Sequence, residues 1–482
     1  MRTNIIQFSR KYHRLLLWPA YAAALVFIIS AICHPLMIWT GPQPVKRLPP
    51  SLEINAQDLA QTKKTLASIH SSEVSIAQII PSKEGMKLQL TKTLEEPREY
   101  FSHNSALPLP NYDHIHAQWL ARYYTGQTAP IRSITFITKF STDYPEVNRL
   151  LPVYKVIFNT EDQLTAYIHT ETNALAALTN NWKQSLKTLF QLLHTFNWLD
   201  DFPVVRLILM STLLSILSIM LLSGAYLLLS LKRKQYKRRL QYLHRKLAWA
   251  VFIPFAGFLF SGFYHLYQQA LKSPTQTQLS LQSIDLSSYQ SVRWPEAIDG
   301  RPITALSLIT IDQQPAIRAS LANNKNSRDT SREKHFTGLP KEQSGIYFST
   351  DGNLLALNDG EYAKQLLSKF MNIQEVHSNN PKKITRFGNG YDFRNKRLPV
   401  WRVDLSNGET VFIDPRTAML VEKVTKAQKL EGWIFSMLHK WNFLKGSLGR
   451  AGRDTALVLI LLLMMSLTII GQQMGKRLKV DL

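Results

Sequence analysis

The chain has 482 residues, 45% of them hydrophobic, and a formal net charge of +23. Its one cysteine, Cys33, excludes an intrachain disulfide and any centre built from several thiolates. The length allows several domains, and the hydrophobic residues fall in runs with polar stretches between them, which argues against one soluble globule.

Residues 1–14 are short and basic, with Arg2, Arg10, Lys11 and Arg14. The next run, 15–38, carries no charged residue from Leu15 to Ile32, long enough for a first transmembrane helix. It is too long for the apolar core of a signal peptide and has no small-x-small cleavage site, so it is expected to stay uncleaved. Residues 40–200 are expected to form a first exported domain. It opens on a short helix at "SLEINAQDLAQTKKTLASIH". Further on, "PVYKVIFNTEDQLTAYIHTETNALAAL" alternates apolar and polar residues, breaks at "NTEDQ" and alternates again, which predicts strand, turn and strand.

A second span is expected at 207–230, followed by a basic linker at 231–246. Lys232, Arg233, Lys234, Lys237, Arg238, Arg239, Arg245 and Lys246 lie in the linker without an acid. A third span at 247–266 leads into a second exported domain, 270–435. There "PVWRVDLSNGETVFIDPRTAMLVEK" repeats the strand plan around an Asn407-Gly408 hairpin turn, and the polar stretch 321–345 reads as a mobile loop. The fourth span is expected at 455–471, and the tail 475–482 carries Lys476, Arg477 and Lys479. By the positive-inside rule, both termini and the linker face the cytoplasm, and both large domains face the periplasm of a bacterial inner membrane. The basic runs serve as a topology signal, and the expected partner is membrane lipid, with no nucleic acid. The expected fold class is a membrane α-helical four-span bundle with two exported α+β domains.

Two halves of the chain align. "YHRLLLWPAYAAALVFIISAICHPL" matches "LHRKLAWAVFIPFAGFLFSGFYHLY", pairing His13 with His244, Trp18 with Trp249, Ser30 with Ser261 and His34 with His265. "LLHTFNWL" matches "MLHKWNFL", pairing His194 with His439 and Asn197 with Asn442. "PVYKV" at 152 and "PVWRV" at 399 keep nearly the same offset as the second match. Internal duplication of one unit (span, exported domain, histidine, span) accounts for the pattern.

The paired histidines carry the chemistry. Of thirteen histidines, six lie at expected membrane borders: His13 and His244 on the cytoplasmic side, and His34, His265, His194 and His439 on the other. An imidazole at the edge of hydrocarbon is costly unless it is paired, solvated or bound to a metal. His13 and His34 are 21 residues apart, as are His244 and His265. Twenty-one residues of helix rise roughly 31 Å and return to within about 60° of the starting face. Each first span would therefore hold a histidine at both membrane surfaces, and packing of the two halves would bring His13 to His244.

The pattern offers imidazole without an adjoining acid, and no HExxH occurs, which disfavours a hydrolytic zinc site. Haem b fits better, because it takes one or two imidazoles and fills an apolar slot between helices. Two or more bis-histidine haems are expected. The first takes His13 and His244 as axial iron ligands. For the periplasmic side, His34/His265 and His194/His439 are the symmetric choices. Ala22, Ala23, Ala24, Gly224, Ala256, Gly257 and Gly262 would make room for a macrocycle, or serve ordinary helix packing.

The order HR-W-span, exported domain, LH-span, basic linker, LHR-W-span, exported domain, LH-span resembles the PepSY-associated transmembrane family of bacterial inner-membrane proteins, over essentially the whole chain. Its "HR" maps onto His13-Arg14 and His244-Arg245, and its "LH" onto Leu193-His194 and Leu438-His439. The glycine-rich "GxxGR" that follows the LH in that family is clear at "GSLGRAGR" and degenerate at "DDFPVVR". The resemblance implies that both exported domains are PepSY-like, and that the protein acts as a haem-containing reductase of a ferric siderophore or other ferric iron chelate.

The cytoplasmic segments are too short to hold a nucleotide or flavin domain, so a membrane quinol or a separate reductase is the expected electron donor. Lys382, Lys383, Arg386, Arg394, Lys396, Arg397 and Arg402 form a basic stretch that would attract an anionic chelate, or would serve as an ordinary solvated or lipid-facing surface. The competing reading is a non-catalytic PepSY binding or regulatory protein anchored by its spans, without a cofactor. A metal transporter is a weaker one, because no acid lies mid-membrane.

Overall fold

The computed structural model describes residues 2–69, 73–102, 107–231, 239–271, 277–290, 293, 295–298, 300–322, 345–371, 380–388 and 390–480. Part of the basic linker (232–238) and most of the expected mobile loop (323–344) lie outside the described residues. In chain order the described α-helices are α1 (Arg2–Leu15), α2 (Leu17–Thr40), α3 (Ala56–Ser68), α4 (Tyr112–Thr125) and α5 (Asn181–Phe190). They continue with α6 (Pro203–Ser230), α7 (Arg239–Ala270), α8 (Asp359–Met371), α9 (Lys426–Ile434) and α10 (Lys445–Val480).

The chain divides into two compact units. One gathers residues 1–41, 182–273 and 427–482; the other gathers 42–181 and 274–426.

The first unit is helical. Four of its segments are long and apolar enough to cross a membrane: Leu17–Thr40, Pro203–Ser230, Arg239–Ala270 and Asn442–Gly475. They overlap the four expected spans and run beyond them, because the helices continue into polar flanks that an apolar window does not count. In the bundle, α2 packs against α6 and α10, and α7 packs against the same two helices. Its core joins Ala20, Ala23, Ala24 and Ile28 to Leu214, Leu217, Val251, Leu259, Leu461 and Met464. Small residues on α2 let the helices approach closely, the usual device where burial in lipid gives little drive. The N-terminal segment is itself helical: α1 packs on α6 and puts His13 in its last turn.

The second unit is mixed α and β, and the two polar segments expected as separate domains build it together. In its largest sheet, strand 302–311 of the later segment pairs antiparallel with strand 76–82 of the earlier one, Leu306 opposite Ile79. The strand order is 345–348, 314–321, 302–311, 76–82, 85–91 and 99–102, with 52–53 attached to 302–311. Strand 76–82 is buried along its whole length. A strand covered on both faces reads as a plain apolar run and does not announce its partner. The core beneath takes Ile54, Leu66, Ile79 and Leu88 from one segment and Ile284, Leu306, Ile317 and Phe348 from the other.

The expected strand-turn-strand stretches are three strands each. Residues 153–158, 165–169 and 174–179 join 131–137 in a four-stranded antiparallel sheet. Residues 400–404, 410–414 and 419–424 lie in a five-stranded one with 277–280 and 382–384. Gly408 takes the positive φ of +83° that its hairpin turn needs. Helix α3 opens the earlier segment as expected, held by a capping box between Asn55 and Asp58. At the start of the later segment the matching place holds only a 3-10 turn, Leu286–Tyr289.

Candidate functional site

The six border histidines all lie in the helical unit, in two groups. His13 ends α1 and His244 lies in the second turn of α7; the two are within electrostatic reach of each other. At the other end, His34 on α2 and His265 on α7 gather with His194 and His439, again within mutual electrostatic reach.

His194 and His439 lie in matched short π-helices, Gln191–Thr195 and Phe435–His439, each placed between an α-helix and a 3-10 turn. A π turn inserts one residue into the helix and re-aims the side chains beyond it. Here it turns both imidazoles toward the bundle. Their ring centroids are 6.2 Å apart at an interplanar angle of 72°.

Serines set the orientation of three of these rings. Ser30 Oγ donates to Val26 O at 2.7 Å and lies 3.0 Å from His194 Nδ1. Ser261 Oγ donates to Phe258 O at 3.1 Å and lies 3.2 Å from His439 Nδ1. Ser223 Oγ donates to Met220 O at 3.2 Å and lies 3.1 Å from His13 Nδ1. A hydroxyl has one proton; where the helix carbonyl takes it, a neutral ring donates its Nδ1–H to the serine oxygen and keeps its Nε2 lone pair as the acceptor. Ser30 and Ser261 are fully buried, so water does not compete for these bonds.

Aromatic rings complete the setting. Phe190, four residues before His194, stacks on it at 4.8 Å, and Phe435 stacks on His439 at 4.6 Å. Phe27 and Phe258 meet the same two imidazoles edge-on, both at 5.7 Å. The outer rings differ between the halves. His265 stacks on Phe435 at 4.4 Å and its Nδ1 pairs with Glu431, whereas His34 meets Phe190 at 6.3 Å in a tilted contact.

At the opposite end, a glycine faces each imidazole. A Cβ at Gly224 would lie 3.2 Å from His13 Cε1, and one at Gly471 would lie 3.2 Å from His244 Cε1. Gly224 was expected among the small residues; Gly471, Ser223, Glu431, Phe190 and Phe435 were not singled out. Only the two phenylalanines carry a positional signal in the sequence, since each precedes its histidine by the same four residues.

The basic stretch of the later polar segment does not form one free surface. Arg397 is buried, pairing with Glu171 and Asp414 at 3.0 Å each. Arg394 pairs with Asp392 and Arg402 with Asp404. Among the described residues, no group of three or more His, Cys, Asp or Glu side chains is arranged to hold a metal ion directly. What the four-histidine end offers is a close pair of imidazoles, those of His194 and His439.

Fold and site together define a mixed helical and β chain with four membrane-length helices, the build of a multi-span membrane protein. No family model matches the chain, and no curated protein matches it.

Proposed function

We propose that the chain is a haem-containing oxidoreductase of the bacterial inner membrane, a relative of the PepSY-associated transmembrane proteins, built by duplication of one unit. In this reading it passes electrons across the membrane to a periplasmic ferric chelate. The observation that carries the reading is the His194–His439 pair. Imidazoles that shared one iron, with metal–nitrogen bonds of about 2 Å and ring nitrogens roughly 1 Å from the ring centre, would keep their centroids within about 6 Å of each other. The observed 6.2 Å is compatible with that spacing, and a serine hydroxyl stands beside each Nδ1, where it could hold the ring.

His194 and His439 would hold one haem, and His13 and His244 a second. His34 and His265 then flank the first pair through Phe190 and Phe435. Bound haem supplies one-electron chemistry by the Fe(III)/Fe(II) couple. The protein's part is to fix both imidazoles, to exclude water with phenylalanine, and to hold the Nδ1 protons on serine. A membrane quinol or a separate reductase is the proposed donor. Both termini would face the cytoplasm and the mixed α/β unit the periplasm.

The test is a dithionite-reduced minus oxidised spectrum of the purified protein from haem-replete cells, which should show sharp bis-imidazole bands. His194→Ala and His439→Ala should lose the same spectral component, and His13→Ala and His244→Ala the other. Colourless protein would favour the cofactor-free, membrane-anchored binder.

A further inference from the structure

The four-histidine end is electrically lopsided. Lys440, Arg450 and Arg453 all lie within electrostatic reach of His34. Lys445 is within reach of the same three cations and of Asp454. At the matching place in the other half, His265 meets the carboxylate of Glu431. The first half has Asp200, paired with Arg206, where the second has Lys445.

Arg453 anchors the basic group. Its Nη1 donates to Asn442 Oδ1 at 2.6 Å and its Nη2 pairs with Asp454. Both residues are buried, yet Arg453 Nε and Asp454 Oδ2 have no partner. Lys440 Nζ sits 4.8 Å over the Phe435 ring, which in turn stacks on His439. Gly449, at a φ of +66°, kinks the start of α10 and carries Arg450 away from the line of the preceding residues. A Cβ at Gly446 or Gly449 would meet nothing within 4 Å, so there is open space beside the segment. Like charges drawn together at a membrane edge cost free energy, and an anion among them lowers it.

We propose that Lys440, Lys445, Arg450 and Arg453 form a carboxylate-binding site that receives the two propionate groups of the haem held by His194 and His439. The inference rests on the haem reading. It gives the porphyrin one orientation, with its acid edge toward the second half of the chain, although the two histidines are related by repeat. Lysine and arginine both suit the role, and Arg453 brings an unpartnered Nε–H that a carboxylate can accept from.

The experiment uses the full chain, purified from haem-depleted cells into phosphatidylcholine nanodiscs and titrated with haemin or with its dimethyl ester, which lacks both charges. Wild type should bind haemin at least about tenfold more tightly than the ester, the scale of one charge-assisted hydrogen bond. Lys445→Gln/Arg453→Gln should lose that preference while keeping its affinity for the ester. If loss of the Arg453–Asp454 pair unfolds that variant, Lys445→Gln/Arg450→Gln serves in its place. Equal binding of haemin and ester by wild type overturns the proposal, and so does a preference that survives both variants. A preference abolished by exchanging phosphatidylcholine for phosphatidylglycerol would assign the site to lipid phosphate and overturn it as well. Absence of any bis-imidazole spectrum with either ligand would instead remove the haem reading itself.

Discussion

Arg397 Nη2 donates to Glu171 Oε1 at 3.0 Å, and both side chains are almost wholly buried. The pair joins the two polar segments, Glu171 from the earlier and Arg397 from the later. Arg98 takes the other oxygen of Glu171 at 3.0 Å, and Arg397 reaches on to Asp414. Removing one partner of such a network leaves charge buried and uncompensated, which costs about 3 kcal/mol or more. Glu171→Gln should therefore lower the unfolding midpoint of the mixed α/β unit, read by denaturant titration of the full chain in detergent. A midpoint equal to that of wild type would mean that the two segments hold together without this ion pair.

The same network sets an acid limit on stability. Burial alone would raise the Glu171 carboxyl, but Arg98, His169 and Arg397 beside it hold it at about 2. A depressed carboxyl contributes stability above its ordinary value near 4.5, and that contribution is lost as pH falls through 2. Burial pushes His116 down to about 4 and His169 to about 3. Their stabilising contribution is complete above the ordinary 6.5 and disappears as pH falls toward those values. Stability should thus decline in two overlapping stages, histidine first and Glu171 last. His116 Nε2 bonds Asn173 Oδ1 at 2.7 Å, so His116→Gln keeps a polar partner without the titration. The variant should show a shallower loss of thermal midpoint between pH 6 and pH 4, and an unchanged slope there would remove His116 from the account.

Much of this architecture was legible in the sequence, and the gaps have physical causes. Four membrane-length helices were visible because apolar runs of that length have few other uses. Asn407-Gly408 announced its hairpin because few dipeptides take positive φ readily. The border histidines stood out because imidazole is costly at a hydrocarbon edge. The shared sheet was hidden, since strands 76–82 and 302–311 are buried on both faces and carry no mark of their partner. Arg397 looked like surface charge, because its partner Glu171 lies in the other polar segment, far off in sequence. Glu431 has no such likeness to guide a reader: the matching place in the first half is Leu186, a buried apolar residue.

The Ser30 and Ser261 hydroxyls lie 3.0 and 3.2 Å from Nδ1 of His194 and His439. Outer partners of this kind typically change the affinity of the group their histidine binds by 10- to 100-fold. In the haem reading, Ser30→Ala and Ser261→Ala should each speed haem transfer to apomyoglobin about tenfold or more. Ser30→Thr retains the hydroxyl and should recover most of the loss. Transfer rates unmoved by either alanine variant would show that the serine bonds do not orient a ligand.

Gly224 and Gly471 make the most direct test of the inner pair. The side of each that a Cβ would occupy faces an imidazole, on α6 toward His13 and on α10 toward His244. An added Cβ at 3.2 Å is tight, and a branched side chain would have to displace the ring. Gly224→Val should therefore move His13, and Gly471→Val should move His244. Both lie in helices long and apolar enough to cross a membrane, and far-ultraviolet circular dichroism checks that each variant has folded. In the haem reading, each variant should lose the spectral component that His13→Ala and His244→Ala lose, and keep the one that depends on His194 and His439. Loss of the other component, or of both from a folded protein, would break the assignment of His13 and His244 to one site.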